Sequence, residues 1–400
     1  MPLITLDEAL QQMLGGIRPL RERERVVLDQ LHGRMLANDV YAPANVPPMD
    51  NSAMDGYAIR MLELTEGAVL PVRQRIAAGE APEPLQEGTA ARIFTGAPIP
   101  EGADAVVMQE NTHLVDGGVI IDTRPTFGAN IRRAGHDISA GEGVLSRGIR
   151  LRAQDIGLLA SMGMENADVV RVPKVALMST GDELVSPGQP LAEGQIYNSN
   201  TYMMSALLKG WGFEVVDFGN VADSLPVIEK SLSDAAKQCD MIITTGGVSV
   251  GEEDHIKAAV DSQGELSMWR IGIKPGKPVA FGHVNQTPFL GLPGNPSSSF
   301  VTAILVARPL LNKLAGGERE PPVMLSVEAD FEVTQKGSRE EYLRVKLIQV
   351  EGQWRAVAYA NQSSGALKAA SWGNALARIP IGKTLQRGDQ VEVLLYEGIC

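Results

Sequence analysis

Apolar and polar positions are patterned in two different ways along the chain, and the change of pattern divides it. In the middle, the short unbroken apolar runs Val175-Ala-Leu-Met178, Met241-Ile-Ile243 and Phe289-Leu290 are bounded by turn residues, the mark of strands buried on both faces. Phe213-Glu-Val-Val-Asp-Phe218 reads as a further strand ending near Asp223. The segments between the apolar runs read as helices. Asn198-Ser-Asn200 offers a cap to one running to Lys209, and Leu225 to Gln238 forms another. Ser297 to Leu314 is apolar on nearly all sides and so buried, with Pro309 placed to kink it. Strands alternating with helices predict a doubly wound, mostly parallel sheet, with ligand-binding loops on the rim at the carboxyl ends of its strands.

Outside this region the pattern is different. Thr5 and Glu8 form a capping box for a helix through Leu14, closed by Gly15-Gly16. Between the prolines at 43, 47 and 48 and residue 130, a Gly- and Pro-rich stretch carries short runs at Ala90–Phe94, Ala105–Met108 and Gly118–Ile121, predicting a small β domain. Ala153 to Gly163 reads as a helix, and Arg171-Val-Pro173 as a hinge. From Met324, apolar and polar residues alternate at Met324–Phe331, Tyr342–Leu347, Trp354–Tyr359 and Gln390–Leu395, predicting a small antiparallel barrel or sandwich. The expected fold is therefore multidomain α/β. An α/β linker domain spans 1–42 and 131–172, with residues 1–25 packing on the sheet domain. A β domain is inserted at 43–130, the sheet domain covers 173–318, and a β-barrel covers 319–400.

The rim loops carry the candidate chemistry. They read Ser179-Thr-Gly-Asp-Glu-Leu184, Thr244-Thr-Gly-Gly-Val-Ser-Val-Gly251, Lys274-Pro-Gly-Lys-Pro278 and Leu292-Pro-Gly-Asn-Pro-Ser-Ser-Ser299. Gly246, Gly247 and Gly251 permit tight turns that present N–H groups, and Ser297, Ser298 and Ser299 open a helix whose free N–H groups favour a phosphate. Lys274 and Lys277 add positive charge, while Asp182, Glu183 and Asp254 could hold Mg²⁺ against a pyrophosphate. A nucleotide-like ligand fits this set. The loop is no Walker A motif, because Glu252 and Glu253 stand where Lys and Ser/Thr are required. Taken singly, Lys-Pro-Gly-Lys is an ordinary turn and Asp182-Glu183 an ordinary helix start.

Two stretches outside the rim also look chemical. Met54-Asp-Gly-Tyr57 reads as a hairpin turn by its Asp-Gly pair, or as a polar site beside Phe94-Thr-Gly-Ala97. Arg132, Arg133 and Asp137 crowd into six residues, which suits either a solvated loop or an oxyanion clamp.

Composition narrows the partners. A net charge of −12 gives no basic face for nucleic acid or an anionic membrane, so an anionic ligand depends on local cations. Two cysteines, Cys239 and Cys400, and five scattered histidines form neither a disulfide framework nor a metal-ligand spacing. With no leader-like start and no long apolar stretch, a soluble cytoplasmic protein is expected.

In order along the chain, Asp50-Asn-Ser-Ala-Met-Asp-Gly-Tyr57, Thr95-Gly-Ala-Pro98, Ala105-Val-Val-Met-Gln-Glu110, Asn130-Ile-Arg-Arg133 and the rim motifs resemble the MoeA family of molybdopterin molybdenumtransferases, which includes the gephyrin E domain. The resemblance spans essentially the whole chain. It implies a MogA-like sheet domain, an elongated homodimer with the active site between subunits, and molybdopterin adenylyltransferase, apo-molybdoenzymes or their chaperones as partners. The implied reaction takes adenylylated molybdopterin and molybdate, with Mg²⁺, to molybdenum cofactor and AMP.

Carried over by position, the nucleotide and Mg²⁺ region comprises Asp182, Glu183, Asp223, Gly246, Gly247, Ser249 and Asp254, shaped by Pro293 and Pro296, with Glu183, Asp223 and Asp254 as metal ligands. The molybdate region comprises Lys274, Lys277, Arg344 and Ser371. Asp55, Thr95, Arg132 and Asp137 face the partner's sheet domain, which makes Asp55 a site residue. His136 replaces a family Glu, and Val221-Ala-Asp-Ser224 keeps one acidic residue where relatives often have two. The neighbouring alternatives are adenylylation of molybdopterin, by an enzyme sharing the sheet domain, and a non-catalytic scaffold.

Overall fold

The structure is a computed structural model in which residues 3–247, 255–318 and 321–396 are described. Helix α1 (Leu6–Gly15) begins at the Thr5–Glu8 capping box, and Ala9, Leu10, Met13 and Leu14 pack into the core of the sheet domain. The chain then enters a four-stranded sheet of β1 (Gly56–Ile59), β2 (Val72–Ile76), β3 (Ala90–Ile93) and β4 (Ala105–Met108), in the order β2-β3-β1-β4. Asp55-Gly56 is not a hairpin turn, because Gly56 opens β1. A Cβ there would lie 1.9 Å from the Val107 carbonyl oxygen, so glycine is required by the close approach of β4.

The linker domain holds α2 (Ala153–Ser161) and an antiparallel pairing of 23–27 with 166–170, around a core that includes Leu31, Leu36, Leu159 and Val169. The sheet domain follows, with β5 (Lys174–Thr180), α3 (Asn200–Gly210), β6 (Glu214–Val221), α4 (Leu225–Gln238), β7 (Met241–Thr245) and α5 (His255–Asp261). It continues with β8 (Gly264–Arg270), β9 (Ile273–Lys274), β10 (Pro278–Val284) and β11 (Thr287–Leu292).

The sheet order is β6-β5-β7-β11-β10-β8, in which β6, β5, β7 and β11 run parallel. Strands β10 and β8 close the edge as an antiparallel hairpin, so the stretch from α5 to β11 is not all helical as its sequence predicts. Alternation within β5 explains the layering. Val175 and Leu177 face the core shared with α1 and α3, whereas Ala176 and Met178 face the core shared with α4 and α5.

The buried helix after β11 divides into α6 (Pro296–Thr302), a π-helical turn over 303–307 and α7 (Arg308–Leu314). Pro309 donates no N–H and crowds the carbonyl four residues back, and the widened turn absorbs that mismatch where a simple kink is expected.

The last domain comprises β12 (Leu325–Ala329), β13 (Glu340–Val350), β14 (Gln353–Ala358), α8 (Leu367–Trp372), β15 (Ala375–Ile379) and β16 (Gln390–Leu395). Pairing of β13 with β15 closes a five-stranded barrel, antiparallel except for β12 beside β14. The two-residue strand β9 leaves the sheet domain and pairs in parallel with β13, setting Ile273 opposite Glu340 and Lys274 opposite Glu341.

Candidate active site

The carboxyl ends of β5, β7 and β11 form one rim, and the β10 end nearest Pro278 joins it because β10 runs antiparallel to β11. Beneath the loops is a chain of buried hydroxyls. The Ser179 hydroxyl lies 2.7 Å from Thr245 Oγ1 and 2.8 Å from Thr201 Oγ1. The Thr201 N–H donates to the Asn198 side-chain oxygen at 3.1 Å, so Asn198, ahead of the N-cap Ser199, satisfies the start of α3.

Gly246 and Gly247 both have positive φ. A Cβ on either would lie 2.8 Å or less from Thr180, against its carbonyl at Gly246 and its hydroxyl at Gly247. The Gly246 N–H donates to the Leu292 carbonyl at 3.1 Å, and the Asn200 amide donates to the Gly294 carbonyl at 2.7 Å. Thr180, Gly246, Gly294 and Asn200 therefore meet at the rim, with Pro293 buried beneath it and Pro296 opening α6.

At the mouth of this rim the Asp182 carboxylate accepts the backbone N–H of Asp223 at 3.3 Å, which joins the loops of two of the predicted residues, and Glu183 beside Asp182 is exposed. Among the described residues, no three His, Cys, Asp or Glu side chains converge as a metal-binding group. Ser249 and Asp254 lie outside the described residues. The expectation of free N–H groups along Ser297–Ser299 is corrected in part. The Ser297 N–H donates to the Ser364 carbonyl of the barrel domain and that of Ser299 to Asn295.

The adjoining corner is built by two domains. Lys274 sits on β9 and its Nζ lies 2.9 Å from Glu341 Oε1, while Lys277 follows on the same loop with its side chain half-buried. Gly276 between them has φ +109, and a Cβ there would fall 2.3 Å from Thr302 Oγ1. Arg344, on β13, is 1% exposed. Its Nη1 donates to the Tyr342 carbonyl at 3.1 Å and its Nη2 to Ser363 at 3.2 Å, while its Nε has no partner. Burial pulls its pKa down from the ordinary arginine value.

Among the described residues no carboxylate stands at ion-pair distance from Arg344. Its hydrogen bonds go only to carbonyls, although the Glu341 carboxylate acts on it through space. Buried charge is ordinarily paired, so this guanidinium has capacity for a further anionic partner. Ser371 lies on α8, exposed, and makes no described bond to Arg344.

The remaining predicted residues form a second cluster. Asp55 Oδ1 accepts from the Thr95 N–H at 2.8 Å and from its hydroxyl at 2.7 Å, and these bonds hold the carboxyl below the usual range. Arg92, which the motifs did not single out, stacks over Phe94 and Tyr57 and donates to the Gly56 carbonyl and to Gln109. Gln109 in turn donates its N–H to the Asp55 carbonyl.

Arg132 is exposed opposite Asn51 with no described side-chain partner, and Asp137 is exposed on the following turn. Arg133 pairs with Asp50, whose carboxylate also accepts the Ala134 N–H, while about half of its side chain stays exposed. Among the described residues, no hydrogen bond or ion pair joins Asp55, Thr95, Arg132 or Asp137 to the rim. Arg92, Gln109 and Glu341 were not recognised in the sequence because their neighbours come from distant strands.

No helix among the described residues is long and apolar enough to cross a membrane. Three family descriptions match in succession: "MoeA N-terminal region (domain I and II)" over residues 4–163, "Probable molybdopterin binding domain" over 176–313 and "MoeA C-terminal region (domain IV)" over 326–396. A Haemophilus influenzae protein named "Molybdopterin molybdenumtransferase" is 43% identical over 80% of both chains. A Nostoc protein of the same name is 38% identical over 94% of this chain and 89% of its own. Among solved structures, a molybdopterin biosynthesis MoeA protein from Pyrococcus horikoshii superposes with a TM-score of 0.85 at 29% identity, covering 99% of this chain and 100% of that one. On these likenesses, carried through every domain, the chain belongs to the MoeA family of molybdopterin molybdenumtransferases.

Proposed function

We propose that this chain inserts molybdenum into molybdopterin, taking molybdate and adenylylated molybdopterin, with Mg²⁺, to molybdenum cofactor and AMP. The observation that carries the reading is Arg344, a fully buried guanidinium with an unpartnered Nε, standing one strand pairing away from Lys274. Lys274, Lys277 and Arg344 hold the molybdate oxyanion, and catalysis is electrostatic preorganisation more than acid–base work. The sulfur ligands to molybdenum come from the pterin dithiolene, which agrees with a rim that carries no cysteine.

The Asp182 carboxylate accepts the backbone N–H of Asp223, which places the two residues side by side at the mouth of the rim, and carboxylate oxygens are the donors Mg²⁺ takes. With Glu183 and Asp254, they would hold the ion, which when bound polarises the phosphate bond cut to release AMP. Gly246, whose own N–H is held by the Leu292 carbonyl, turns the chain tightly with Gly247 so that the backbone can approach the phosphates, and Pro293 and Pro296 shape the pocket.

Because Asp55 and Thr95 stand apart from their own rim, we assign them, with Arg132 and Asp137, to the rim of a second copy in a homodimer. In that setting Asp55 or Asp137 orients water or relays a proton, and Ser371 borders the oxyanion. The partners of this reading are molybdopterin adenylyltransferase upstream and apo-molybdoenzymes or their chaperones downstream, in the cytoplasm.

The test is anaerobic incubation of the purified protein with adenylylated molybdopterin, molybdate and Mg²⁺. Molybdate-dependent AMP release with reconstitution of an apo-molybdoenzyme is expected. Pyrophosphate formation from molybdopterin and MgATP would instead mark an adenylyltransferase, and inactivity in both assays a scaffold.

A further inference from the structure

Lys274 and Arg344 solve the same electrostatic problem differently. Arg344 is locked by two carbonyl bonds with no carboxylate at ion-pair distance among the described residues and feels Glu341 only through space, whereas Lys274 is ion-paired to Glu341 at 2.9 Å. The pair is built into the architecture, because Lys274 and Glu341 are register partners in the strand pairing that ties the sheet domain to the barrel. The Glu341 side chain is only 18% exposed while that of Lys274 is 51% exposed, so the carboxylate is the fixed member and the lysine the movable one.

We propose that Glu341 is an internal counter-anion that sets the affinity of the oxyanion seat. A tetrahedral dianion enters by taking the Lys274 ammonium away from the Glu341 carboxylate. This rests on the reading of Lys274, Lys277 and Arg344 as that seat and adds the residue that tunes it. Three cations with no counter-charge would repel one another and hold any dianion tightly, including one that must be given up during turnover. Glu341 competes for one of the three and weakens retention. The flexible stem of Lys274 allows the ammonium to change partners, which the anchored guanidinium cannot do.

A purely structural ion pair predicts the opposite sign on removal. Disrupting a domain contact loosens the seat and weakens binding, whereas removing a competitor tightens it. The experiment is calorimetric titration of the full chain with sodium molybdate, in wild type, Glu341→Gln and Lys274→Met. Glu341→Gln is expected to bind about two- to fivefold more tightly, the scale of a partly exposed ion pair relieved of its competitor. Lys274→Met is expected to bind more weakly. Glu341→Asp keeps the charge on a shorter stem and is expected to fall between wild type and Glu341→Gln, which keeps the test open should the glutamine variant fold poorly.

If Lys274→Met weakens binding while Glu341→Gln leaves it unchanged or weaker, the counter-anion proposal is wrong and the seat stands. If molybdate binding is indifferent to both substitutions, the seat reading falls and the proposal with it.

Discussion

Arg344→Met separates an anion seat from a structural guanidinium, because the two predict different combinations of stability and activity. The wild-type side chain makes two charge-assisted hydrogen bonds to carbonyls, at 3.1 and 3.2 Å, and buries a full charge to 1% exposure. Losing the two bonds costs about 1.5–3 kcal/mol each, together with the desolvation of the Tyr342 and Ser363 carbonyls left behind. Against that, removing an unpaired buried charge relieves a desolvation penalty of several kcal/mol, and methionine fills similar volume with a flexible apolar stem. The terms oppose, so stability should stay within about 2 kcal/mol of wild type or rise.

The oxyanion, by contrast, loses a charge-assisted donor in a site screened from water. That loss is worth about 3–4 kcal/mol, or on the order of a hundred- to a thousandfold in molybdate-dependent turnover. Urea unfolding followed by circular dichroism reads the first quantity, and AMP release as molybdate is titrated reads the second. A variant that unfolds more than about 4 kcal/mol earlier while keeping wild-type molybdate dependence would refute the reasoning, since that is the signature of a structural arginine.

Three further outcomes follow from the geometry. Gly276→Ala sets a Cβ 2.3 Å from Thr302 Oγ1 at a φ of +109, so it should cost about 2–3 kcal/mol in denaturant stability and weaken molybdate use by displacing Lys274 and Lys277; an unchanged unfolding midpoint would contradict this. Asp55 has a folded pKa below its unfolded one, so any stability its bonds contribute is present above the ordinary carboxylate range and is lost as pH falls through the depressed pKa. Thr95→Val removes the hydroxyl donor and leaves the larger N–H contribution, so the acid limb of the rate profile should move part of the way to higher pH; an unmoved limb would exclude ionised Asp55 from the rate-limiting step. In a homodimer that pairs the β domain of one copy with the rim of the other, Asp55→Asn and Lys274→Met should each be inactive alone, yet regain about a quarter of wild-type activity after subunit mixing, because half the dimers then carry one intact site of two; no recovery would mean that each chain uses its own Asp55.

The fold was legible where local pattern decides structure. Unbroken apolar runs marked β5, β7 and β11 because both faces of those strands are covered, and Leu225 to Gln238 marked α4 over the residues it occupies. What escaped was structure created by distant partners. Gly264 to Val284 carries no clean alternation, and it becomes a hairpin because β10 can pair with the free edge of β11. The barrel strand β15, Ala375–Ile379, went unnoticed because its register is supplied by β13 and β16.

The site divides along the same line. Turn glycines announce themselves, since Gly246 and Gly247 adopt positive φ where an added Cβ would lie within 2.8 Å of Thr180, and sequence exposes that constraint directly. Charge pairing does not. Arg133 and Arg132 are adjacent in sequence and both exposed, yet one is paired with Asp50, 83 positions earlier, and the other has no described side-chain partner. Glu341 is an ordinary surface glutamate until β9 crosses from the sheet domain and sets Lys274 against it. That two-residue pairing fixes where one of the three cations stands and what it is bound to before an anion arrives. The proposed oxyanion seat would therefore be a property of how two domains dock, and its affinity should respond to changes in the β9–β13 register as strongly as to changes in the cations themselves.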